Sequence, residues 1–142
     1  MSSAVIPVLR YENAVAAIDF LCLAFGFEQR AVYLDPRDRS IIIHAQLACN
    51  GGMNMLSSVQ ETEFVRQAPL TTVAEGRGNT QTIYVVVADP EAHCAQARSA
   101  GADIFLSLEE QPAGGRGYTA RDPEGHVWTF GAYDPWLKAN RQ

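Results

Sequence analysis

RDPEGHVWTFGAYDPW occupies residues 121–136. Its opening is turn chemistry: Asp122, Pro123 and Gly125 stand at the first, second and fourth places of a four-residue block, as a type I turn favours. The run behind the turn alternates. His126, Trp128 and Phe130 fall on one face of a strand, and Val127, Thr129 and Gly131 on the other. His126 can be read as a metal ligand or base presented by the turn, or as one residue of a hairpin that joins two strands. Trp128 and Phe130 are core-forming residues that pack against helices.

The segments before this hairpin complete a unit. Gln81 to Ala88 reads as a strand. Asp89 is an N-cap with Pro90 at the first helical position, and Gly101 closes an Ala-rich helix over Ala92 to Ala100. Asp103 to Leu108 and Gly117 to Arg121 are strands, and His126 to Tyr133 is the last. The order is β-α-β-β-β. The first half repeats it: strand Ala4–Tyr11, N-cap Asn13, helix 14–25 with Ile18, Leu21, Cys22 and Phe25 at helical spacing, Gly26 as its stop, then strands Phe27–Leu34, Ser40–Leu47 and Met53–Ser58. Superposing Asn13 on Asp89 brings Gly26 and Gly101 within one residue of each other. Between the units, residues 59–80 are polar and broken by Pro and Gly, with one helical turn expected near Glu61 to Gln67. The expected fold is α+β: one domain over 1–142, built from unit 4–58, connection 59–80 and unit 81–134. Its two βαβββ units form curved sheets around a cleft.

Composition bounds the function. The chain has 142 residues, is 47 % hydrophobic and carries a net charge of −5. The acidic balance argues against a nucleic-acid partner, which wants a basic face. No apolar run reaches the roughly 20 residues of a membrane helix, so no membrane partner is expected. The start, MSSAVIPVLRY, has no signal-peptide pattern. Cys22, Cys49 and Cys94 are isolated and odd in number, which fits neither a zinc site nor a disulfide framework and suggests a reducing, cytoplasmic location.

Four stretches together resemble the vicinal oxygen chelate superfamily of glyoxalases, extradiol dioxygenases and bleomycin-resistance proteins. They are VIPVLRYENAVAAIDFLCLAFGFE, IIIHAQLACNGGMNML, NTQTIYVVVADPEAHCAQARSAGADI and GGRGYTARDPEGHVWTFGAYDPW. The resemblance implies a homodimer and, in metal-dependent members, two ligands from each unit, one on the first strand and one on the last. Those positions fall here on Ile6 and Met55 in the first unit and on Thr82 and Thr129 in the second; a one-residue shift would exchange Met55 for Asn54. A ligand position at Thr129 implies that Val127, Thr129 and Gly131 face the cleft, and that His126 shares the helix-packing side or sits at the strand mouth, in a structural role. None suits a hard or borderline divalent ion, which wants imidazole, carboxylate or thiolate. The implied cofactor is therefore none. The metal-free, bleomycin-resistance-like branch is the nearest likeness, and its partner is a small organic molecule that is sequestered. Two alternatives stand beside it: a metal-dependent lyase or dioxygenase with a relocated site using His44, and a non-catalytic scaffold with a vestigial cleft.

No catalytic set emerges from the residues. His44, inside IIIHAQL, is either a satisfied strand histidine or an acid–base group on the cleft floor, and no second histidine or carboxylate at matching spacing completes a pair with it. Ile6, Val8 and Arg10 on the first strand, with Thr82, Tyr84 and Val86 on the fifth, sketch an apolar cleft face. Arg10 either clamps an anionic group or pairs at a dimer interface. Tyr84 is a candidate ligand contact. Gly114-Gly115-Arg116-Gly117 leads into a strand, whereas a phosphate cradle leads into a helix. It is read as a turn, with Arg116 and Tyr118 expected at the cleft mouth.

Overall fold

The computed structural model describes residues 3–137. The first unit runs β1 Val8–Tyr11, α1 Ala14–Phe25, β2 Glu28–Leu34, β3 Ile42–Cys49 and β4 Gly52–Ser58. Two short helices follow, α2 Glu63–Gln67 and α3 Val73–Gly76. The second unit runs β5 Ile83–Val86, α4 Pro90–Ser99, β6 Asp103–Glu110, β7 Arg116–Arg121 and β8 Val127–Gly131. The repeated βαβββ order of an α+β fold is present in full. Each unit makes a four-stranded sheet, ordered β1-β4-β3-β2 and β5-β8-β7-β6, with its first strand parallel to its last.

Local chemistry sets these elements. Asn13 Oδ1 accepts the Ala16 N–H at 3.1 Å, and Asp89 Oδ1 accepts the Ala92 N–H at 3.1 Å, so both helices start where a side chain can satisfy an otherwise orphaned donor. The first strand is shorter than expected. It begins at Val8, because Pro7 has no N–H to give and its carbonyl alone is used, by the Met55 N–H at 2.9 Å. In the connection, α2 is the expected helical turn, while α3 is additional: Thr72 and Glu75 form a reciprocal capping box around it.

The DPEG turn closes as its composition implies. The Gly125 N–H reaches the Asp122 carbonyl at 3.0 Å, and Gly125 takes φ +92°, which a side chain would resist. The turn also docks the second unit on the first. Buried Asp122 accepts from the Tyr11 hydroxyl at 2.5 Å and the Trp128 indole at 3.1 Å. Glu124 accepts the N–H groups of Glu12 at 2.7 Å and Asn13 at 2.9 Å, placing a carboxylate at the positive end of α1. His126 Nε2 donates to the Arg10 carbonyl at 3.1 Å, and its ring lies 4.7 Å from that of Tyr11. His126 is thus an anchor on the helix-packing side.

The far end of α1 is held from the same unit. His93 Nε2 and Gln96 Nε2 on α4 donate to the carbonyls of Phe25 and Leu23 at 2.9 and 2.8 Å. The helix α1 packs on α4, and the Phe25 ring sits 4.6 Å from Phe130 and 5.8 Å from Trp128. One apolar cluster therefore joins the helix-side faces of both sheets. Among the described residues no helix is long and apolar enough to cross a membrane.

One buried residue works against this core. Asn54 pairs with Leu47 across β3 and β4, is 2 % exposed and, among the described residues, has no partner for either amide atom. Orphaned polar groups of this kind cost about 1–3 kcal/mol. Asn54→Leu, close in volume, is expected to raise unfolding stability by roughly that amount, read as a higher urea midpoint. A lowered midpoint would show that the amide is satisfied.

Candidate ligand site

Strand register decides which residues share the face opposite the helices. On the first sheet, Val8 pairs with Met55, Arg10 with Ser57, Gln46 with Met55 and Ala48 with Met53. Directly paired residues point to the same side, so Arg10, Gln46, Met53, Met55 and Ser57 lie on one face. His44, two residues from Gln46, joins them: its Nε2 is 3.1 Å from Gln46 Nε2, and its ring stacks 6.0 Å from Tyr33. Asn54 points the other way, into the core.

On the second sheet, Tyr84 pairs with Thr129, Thr129 with Thr119, and Thr119 with Leu106, forming one row across four strands. The Thr119 and Thr129 hydroxyls bond each other at 2.8 Å. Tyr84 lies across Gly131 and donates to the Tyr133 carbonyl at 2.7 Å. A Cβ on Gly131 would come within 2.7 Å of the Tyr84 hydroxyl, so the glycine is what lets the ring lie against the backbone.

Two expected site residues stand elsewhere. Arg116 and Tyr118 do not line a cleft. Strand alternation puts them opposite Gly117 and Thr119, on the side packed by α4. Tyr118 is fully buried, with its hydroxyl 2.6 Å from His93 Nδ1, and Arg116 pairs with Glu91 of α4. Sequence reasoning also passed over His93. Because its Nε2 faces a carbonyl, that nitrogen carries the proton, and Nδ1 accepts from Tyr118. Burial pushes the imidazole down from its ordinary value and the Tyr118 phenol up. This neutral pair ties α4 to α1 and β7. The position of Thr119 was legible as the antiparallel partner of Thr129.

The faces carrying Arg10 and His44, and Tyr84 and Thr129, do not oppose each other within one chain. Both sheets bury their helix sides in the common core, so both opposite faces look outward. Val8 is 58 % exposed, Tyr33 57 % and Leu106 53 %. Each candidate face is thus presented separately within one chain.

The family's usual metal does not fit these residues. Ile6 and Thr82 stand just ahead of β1 and β5. Met55 offers a thioether, and the Thr129 hydroxyl is already engaged by Thr119. An aliphatic side chain, a thioether and two neutral hydroxyls are a poor donor set for a divalent ion. Among the described residues no group of three or more His, Cys, Asp or Glu gathers elsewhere to replace it. What the two faces offer instead is apolar surface, hydrogen-bonding groups and two arginines, Arg10 and the Asp103-paired Arg121.

Comparison with known proteins agrees with this architecture. An uncharacterized protein of Mycobacterium bovis is 33 % identical over 125 residues, covering 88 % of this chain and 80 % of its own length. TioX from Micromonospora sp. ML1 has a solved structure that is 33 % identical, covers 90 % of this chain and 94 % of its own, and superposes with a TM-score of 0.68. The bleomycin-binding protein of Streptomyces verticillus, solved with copper(II)-bleomycin, is 20 % identical with a TM-score of 0.61, over 94 % of this chain and 98 % of its own. A family model matches residues 5–130, and the chain belongs to the Glyoxalase/Bleomycin resistance protein/Dioxygenase superfamily.

Proposed function

We propose that this protein binds a small organic molecule without metal, in a cleft closed by a second copy of the chain, and acts by sequestering it. The carrying observation is the outward orientation of the two non-helix faces, which expose Val8, Tyr33, Tyr84 and Leu106. In a homodimer the first sheet of one copy meets the second sheet of the other. Apolar surface leaving water contributes about 25 cal/mol per Å², and the free edges of β1 and β5 are available for pairing. Arg10, His44 and Met55 then face Tyr84 and Thr129 of the other copy across the ligand. The same fold serves bleomycin binding in the Streptomyces verticillus protein. Three free cysteines support the cytoplasm as the compartment.

The test uses protein purified without chelator. It is expected to carry divalent metal well below stoichiometry, and to bind the apolar dye phenylnaphthylamine equally well before and after EDTA. Stoichiometric, tightly held metal, or dye binding that EDTA abolishes, favours an enzyme with a relocated metal site. If neither this dye nor any compound of a broad thermal-shift panel stabilises the fold, the cleft is vestigial.

A further inference from the structure

Among the described residues, Arg10 is a cation in no ion pair. It faces the proposed cleft from β1, opposite the small hydroxyl of Ser57. Among the described residues, ion pairs join Arg66 to Glu63, Arg116 to Glu91 and Arg121 to Asp103, and Arg10 enters none of them. Glu75 feels its charge, but the Glu75 carboxylate is turned to the N–H and hydroxyl of Thr72, at 3.0 Å each. The Arg10 Nε is buried and, among the described residues, has no acceptor. A sealed guanidinium N–H without a partner is costly, and it marks a place where an acceptor is missing.

The neighbours of Arg10 sharpen the pattern. Val8, Met55 and Gln46 share its face and bring no second fixed cation. On the corresponding face of the second sheet, Arg121 is already held by Asp103 at 3.2 Å and stacked 3.9 Å over the Phe105 ring. One uncommitted guanidinium at the end of an apolar floor suits one negative charge. A phosphate dianion calls for more.

Building on the binding reading above, we propose that Arg10 selects the ligand: a small amphipathic monoanion, with an aromatic or aliphatic body over Met55 and one oxyanion group against Arg10 and Ser57. Two dyes that differ only by the charged group test this, anilinonaphthalene sulfonate and its uncharged parent phenylnaphthylamine. The natural protein is expected to bind the sulfonate about tenfold more tightly or better. Arg10→Met is expected to erase that preference, and Arg10→Lys to restore part of it. Rising salt is expected to narrow the gap in the unmutated protein, a readout that needs no variant. Equal affinity for both dyes, or a preference that survives in Arg10→Met or is insensitive to salt, overturns the proposal and leaves the binding reading intact. Failure of both dyes to bind overturns both.

Discussion

Replacing Asp122 with alanine is expected to cost about 3–5 kcal/mol of folding stability. The carboxylate is buried and fully used. Its Oδ2 accepts from the Tyr11 hydroxyl at 2.5 Å and Trp128 Nε1 at 3.1 Å. Its Oδ1 accepts the N–H groups of Glu124 at 3.0 Å and His126 at 3.1 Å. Alanine would leave buried donors from both units with no acceptor, and each orphan carries a desolvation penalty. It would also release the turn that brings Glu124 to the start of α1. Burial first, then the Asp122 charge, push the Tyr11 phenol well above its ordinary range, so Tyr11 stays a donor throughout the neutral range. Tyr11→Phe removes one donor and leaves the others bound, so about 1–2 kcal/mol is expected for it. Against a typical total of about 5–15 kcal/mol, the alanine variant would be marginal or unfolded. Equilibrium urea unfolding of both variants measures this. A loss within about 1 kcal/mol for Asp122→Ala would mean that the units do not depend on this contact.

The same contact shows what a sequence can and cannot carry. The DPEG turn, the caps Asn13 and Asp89, and the alternation of Trp128 and Phe130 against Thr129 are local features, and the structure reproduces them. Helix α3 also had a local signal, Thr72 followed three residues later by Glu75, but four helical residues gave no periodicity to reinforce it. Tyr118 and Arg116 were misplaced by parity. The face was correctly assigned on β8, yet it was not carried across the hairpin through the Thr119–Thr129 pair. His93 was hidden for a different reason. Inside an alanine-rich helix it reads as one more solvent-facing residue, and its partners Phe25 and Tyr118 lie 68 and 25 residues away. The docking of the two units is non-local as well. It depends on Asp122, Glu124 and His126 meeting the β1–α1 junction, and no periodicity reports that. The outward direction of both candidate faces follows from this docking alone, and so it became visible only in the fold.

The cross-chain cleft can be tested by complementation. Met55→Arg fills the candidate face of the first sheet, and Thr129→Arg fills that of the second. Neither side chain belongs to the shared core, so both variants are expected to fold and dimerise. In each variant homodimer every cleft contains one introduced arginine beside Arg10, and phenylnaphthylamine binding is expected to fall at least tenfold, since a further unpaired charge filling an apolar site is strongly disfavoured. The mixed dimer, co-expressed and purified through two different tags, differs. One of its clefts contains both arginines, and the other pairs an unaltered first sheet with an unaltered second sheet. The decisive measurement is the dye stoichiometry of this mixed dimer, with its mass checked by light scattering. One dye bound per dimer at the affinity of the unmutated protein is the result expected from a cleft shared between chains. No binding by the mixed dimer, or full binding by a species with the mass of a single chain, would contradict it.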